Sequence, residues 1–141
     1  MKRVNRHRLS WSARAIWLLA GLVLFFWIGY EDRGLLSVLI CSALLCLAGG
    51  LTLVERFETR RETSSRPMGI LFVLYGSLIG AAVGPAAALL MLIKVGLHGH
   101  IRPDFGAADL LRVVLLSPAW TLAGGLAGLA AGLARTGRRR R

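Results

Sequence analysis

Four long stretches without a charged residue dictate what this chain can fold into. They cover residues 15–30, 34–54, 67–93 and 113–134. A helix rising 1.5 Å per residue needs about 20 apolar residues to cross roughly 30 Å of hydrocarbon. The last three stretches meet that length, and the first does so when Leu9–Ser12 extend it. No stretch alternates polar and apolar residues with period two, and an open strand edge cannot be satisfied in lipid, so each stretch reads as a helix. The expectation is an all-α integral membrane protein in which four transmembrane helices form two antiparallel hairpins. The spans are placed at about 13–30, 34–54, 68–95 and 113–134. At 141 residues with a mean hydropathy of +0.61, they make a single domain.

Charge placement orients the spans. The net charge is +11, yet the basic residues are not spread evenly. Lys2, Arg3, Arg6, Arg8 and Arg14 precede the first span, and Arg56, Arg60, Arg61 and Arg66 separate the second from the third. Arg135 and Arg138–Arg141 follow the fourth, so 14 of the 18 basic residues fall on one side. Short loops rich in Lys and Arg stay cytoplasmic, which places both termini, the basic tails 1–12 and 135–141, and the loop 55–66 in the cytoplasm. The loop 96–112 is then extracytoplasmic. Each basic residue near an anionic headgroup contributes about 1 kcal/mol, so the tails suit a bilayer surface. Nucleic acid is not an expected partner, because the chain has no room for a folded reading module. The excess of arginine over lysine points to a GC-rich bacterial genome, and so to a multi-pass protein of a bacterial inner (plasma) membrane.

The basic start followed by an apolar run resembles a signal peptide, but no small-x-small cleavage pattern follows Tyr30. The first span is therefore expected to stay attached. Trp11 and Trp17 at one end, with Trp27 and Tyr30 at the other, match aromatic belts at the two interfaces. Cys41 and Cys46 point about 140° apart on one helix and cannot bridge each other. They read as small apolar residues.

Two glycine rows stand out inside the spans. Gly76, Gly80 and Gly84 recur every four residues in the third span, with Ala88 continuing the row, and Gly124, Gly128 and Gly132 do the same in the fourth. Such a glycine-zipper pattern makes a smooth strip on which another helix can approach closely. Each of these spans also carries a proline towards the outside, Pro85 and Pro118, and should bend there. Either Pro118 bends the fourth span, or it starts that span and residues 105–116 form a short interfacial helix before it.

Polar chemistry gathers in Lys94–Phe105. His98, His100 and Asp104 are ligand types for a divalent transition metal, and Glu31, Asp32 and Asp109 share the same outer side. The alternative is an interfacial loop, in which Gly96 and Gly99 end the helix, Lys94 snorkels to headgroups, and Pro103-Asp104 make a turn. A lipid-directed enzyme would need His98 or His100 as a base oriented by Asp104, but the sequence supplies no second catalytic element. No catalytic residue and no cofactor beyond that metal are expected. No phosphate-binding glycine loop follows a strand, and no charge lies in mid-span, where ion-coupled transporters place one. The leading functional expectation is a structural or accessory subunit that packs with other membrane proteins or a second copy through the glycine rows. The alternative is metal handling or small-solute transport through the outer His/Asp site.

Overall fold

The computed structural model describes residues 10–30, 34–60, 68–98 and 105–139. Among them all regular structure is helical: α1 Trp11–Gly29, α2 Leu35–Arg60, α3 Met68–His98, α4 Ala107–Leu115 and α5 Ser117–Arg139. Among the described residues four segments are long and apolar enough to cross a membrane: Trp11–Gly29, Leu35–Arg56, Gly69–Leu97 and Ala107–Thr136, the last running through α4 and α5 together. Helix α2 outlasts its apolar stretch and carries Glu55, Arg56 and Arg60 on its final turns.

Contacts fix the directions. Ser10 at the start of α1 meets Glu55 near the end of α2, Gly50 of α2 lies against Ile79 of α3, and Gly76 of α3 lies against Gly124 of α5. Each pair is antiparallel. Helix α3 sits at the centre with α2 and α5 on it, and α1 packs on α2. One end of the molecule gathers the start of α1, the end of α2, the start of α3 and the end of α5. The other gathers the end of α1, the start of α2, the end of α3, and α4.

Most of the buried apolar cluster lies towards that second end. It comprises Trp27, Val38, Leu39, Cys41, Val83, Ala87, Leu90, Met91, Phe105 and Val113. Helix α4 contributes because it is amphipathic. Val113 is buried in the cluster, as is Phe105 just before the helix, while Leu111 and Leu115 face outward. Its first turn is closed by Asp109, whose Oδ2 accepts from the Gly106 amide at 3.1 Å and whose own amide donates to the Gly106 carbonyl at 3.0 Å. Both amides are donors that a helix start leaves without a partner in the regular ladder.

Between α4 and α5 the helix is interrupted at Leu116, two residues before Pro118. Proline has no amide to give the Val114 carbonyl, and its ring crowds that carbonyl, so the ladder breaks there. It resumes when the Trp120 amide donates to the Leu116 carbonyl at 3.1 Å. Residues 107–115 thus form a helix of their own that is docked on the core through Val113. Pro85, by contrast, lies inside an unbroken α3.

Candidate functional site

The α3–α5 seam is built from the smallest residues in the chain. A methyl on Gly76 would collide with the Gly124 carbonyl, and one on Gly124 with the Gly76 carbonyl. Gly80 lies against the Trp120 carbonyl, Gly128 against the Phe72 carbonyl, and Gly84 against the Ser117 hydroxyl and the Val113 carbonyl. Gly132 is looser, with the Gly69 Cα 3.3 Å from where its Cβ would be. Backbone therefore touches backbone over several turns, which only glycine permits. The two rows face each other within one chain.

The polar chemistry sits at the two ends. At the first, Ser10 and Glu55 join α1 to α2. The Ser10 amide donates to Glu55 Oε2 at 3.2 Å, its hydroxyl donates to Oε1, and the Ala13 amide donates back to the Ser10 hydroxyl at 3.1 Å. A carboxylate at a helix start is favoured by the partial positive charge of the open amides. Two turns along, Trp17 Nε1 donates to the Thr52 hydroxyl at 2.9 Å, which itself donates to the Ala48 carbonyl at 2.8 Å. Nearby, the Arg135 guanidinium lies 5.0 Å from the centre of the Phe72 ring.

At the second end is Lys94, the largest fully buried side chain among the described residues, with 0% of its surface exposed. Its ammonium donates to the Tyr30 carbonyl at 2.8 Å and the Trp27 carbonyl at 3.3 Å, and sits 4.5 Å from the centre of the Trp27 ring. The last carbonyls of a helix have no partner within it and carry partial negative charge. Lys94 of α3 thus caps α1 across the bundle while the indole face supports the same charge. The expectation that Lys94 snorkels to headgroups is corrected here: carbonyls of a neighbouring helix end lie within its reach, so the ammonium turns inward. The Trp27 indole N–H is itself buried with no hydrogen-bond partner.

Of the metal ligands expected from sequence, His98 ends α3, and its side chain lies outside the described residues, as do His100 and Asp104 entirely. Glu31 and Asp32 lie outside them as well. Among the described residues no three His, Cys, Asp or Glu gather as a metal site. Asp109 is engaged at the start of α4 and lies 3.8 Å from Arg112.

Sequence reasoning missed the Lys94–Trp27 pairing, although a signal was present. Tyr30 ends the first apolar stretch and Lys94 follows the third, so antiparallel packing alone sets them at the same end of the bundle. Comparison with family models, curated proteins and solved structures finds no match.

Proposed function

We propose that this chain is a small multi-pass membrane protein that serves as a structural or accessory subunit of a membrane complex, with both termini on the cytoplasmic side. The observation that carries this reading is the inverted size pattern of its surface. Leu22, Phe25, Leu74, Leu78, Leu122 and Leu126 are each more than half exposed, while glycines line the inner seam. In water such a surface would drive aggregation. In lipid it has no such cost, and small residues inward are what helix pairs there use. The glycine rows build the chain's own α3–α5 pair, and partner proteins or a second copy would meet the outward leucine faces. The basic end, with Arg14, Arg56 and Arg135 at its rim, suits anionic headgroups.

Carbonate-washed membranes and native-detergent mass analysis test this reading. The chain is expected to stay in the membrane pellet and to run with a partner or as an oligomer. The Gly80→Leu/Gly128→Leu variant is expected to lose both stability and that assembly. Extraction by carbonate, or a variant with unchanged mass and stability, overturns the proposal.

A further inference from the structure

We infer that Lys94 is a two-position latch that docks and releases the outer end of α1. The docked position is the one described above, with the ammonium on the Tyr30 and Trp27 carbonyls at 2.8 and 3.3 Å and over the Trp27 ring. The released position lies beyond the end of α3. Lys94 stands four residues before His98, where α3 ends, a rise of about 6 Å. A lysine stem covers that distance and carries its charge to the headgroup layer. This second position rests on the membrane reading above; the docked position does not.

Three features make the latch decisive for α1. Helix α1 packs principally on α2, and its buried stripe is narrow: Ala13, Ala20 and Trp27, each seven residues apart. Two of these are alanines, which bury little area, and the other α1 side chains on the core, Val23, Leu24 and Ile28, are only partly buried. Apolar contact between helices gives little net drive in lipid, so polar ties weigh more. At the first end α1 is tied to α2 through Glu55 and Thr52. At the second, Lys94 ties it to α3.

The docked state is also incompletely satisfied. The Trp27 indole N–H is buried beside the docked charge without an acceptor, and an unmet buried donor raises the energy of the state that holds it. Release lets that N–H reach the interface, where indoles settle. The two positions are thereby brought closer in energy, as a bistable element requires.

The sequence supplies an internal standard for the test, because Lys2 is its only other lysine. Reductive methylation with formaldehyde, a small uncharged reagent, is applied to the full chain in lipid nanodiscs and read by peptide mass spectrometry. Lys94 is expected to react at least ten-fold more slowly than Lys2, and Trp27→Leu to narrow that gap several-fold. Hydrogen exchange supplies the second readout. In Lys94→Met, amides of Phe26–Tyr30 are expected to exchange several-fold faster, while Gly76–Gly84 keep their protection and show the fold intact. Equal labelling of both lysines in the native chain overturns the latch, with no variant needed. So does a Lys94→Met chain whose α1 end is as protected as the native one. Carbonate extraction, which tests the membrane reading, is a separate outcome from either.

Discussion

The α3–α5 seam and the attachment of α1 solve one problem in opposite ways. Along the seam, backbone meets backbone through Gly76, Gly80, Gly84, Gly124 and Gly128. Around α1 the fully buried residues are two alanines and one tryptophan, with Val23, Leu24 and Ile28 partly buried against the core, and specific polar ties act at each end: Ser10–Glu55 and Trp17–Thr52 at one, Lys94 at the other. Close packing sums many weak dispersion attractions that all require one shape. Polar ties are few and individually stronger, and each requires only its own partner. The seam should therefore fail as a unit, and α1 should fail one tie at a time.

The largest effect is expected at the seam. Gly80→Leu puts a branched side chain into the Trp120 carbonyl, which cannot retreat without moving α5. Overpacking typically costs about 1–3 kcal/mol, and a clash with backbone belongs at or above the top of that range. Thermal unfolding in detergent should show the loss, and a second substitution at Gly128 should add little once the helices have separated. Full additivity of the two would argue that the seam is not one unit.

Next comes Lys94→Ala, which removes a charged donor from two carbonyls and leaves a void beside Trp27. A loss of about 2–4 kcal/mol is expected from the two effects together. Lys94→Arg should recover part of it, since guanidinium also stacks on indole. A chain that unfolds identically with Ala, Arg or Lys at 94 would remove the polar tie from the comparison.

Single hydrogen bonds come lower. Thr52→Val deletes the acceptor of Trp17 Nε1, and interhelical bonds of this kind average about 0.6 kcal/mol in membranes. A denaturation midpoint moved by much more would mean that Trp17 also holds packing in place. Smallest of all is the Asp109–Arg112 pair, in which the Arg112 side chain is 69% exposed at 3.8 Å. Arg112→Ala should leave the midpoint within error, as exposed pairs do. For the histidines, metal content of purified wild type and of His98→Ala/His100→Ala decides directly. Metal bound by the first and lost by the second would give the end of the chain's third helix a role that neither the seam nor α1 explains.

Much of the architecture is legible in residue spacing alone. Uncharged length marks the four apolar spans, because the dielectric cost of a mid-span charge leaves few alternatives. The four-residue glycine period marks which face of α3 and α5 is smooth. Lys94 is harder to read, since a lysine one turn from a helix end has two acceptable environments, and the choice depends on carbonyls 64 and 67 positions away. The docking of α4 is equally out of reach. Asp109 and Arg112 mark its polar side, but whether Val113 rests on lipid or on Met91 and Leu90 is decided by a different part of the chain.

The Ser10–Glu55 contact carries a consequence for the order in which the molecule is made. The Ser10 hydroxyl caps the Ala13 amide from within α1, but the Ser10 amide is met by a carboxylate 45 residues downstream, so a growing chain leaves that amide without it until α2 has been synthesised to its last turns. The other end of α1 waits longer still, for residue 94. Helix α3 then exposes its glycine strip until α5 has been synthesised and covers it. Truncated chains halted after residue 60, after residue 98 and at full length should therefore gain resistance to proteolysis in steps, with the final step the largest.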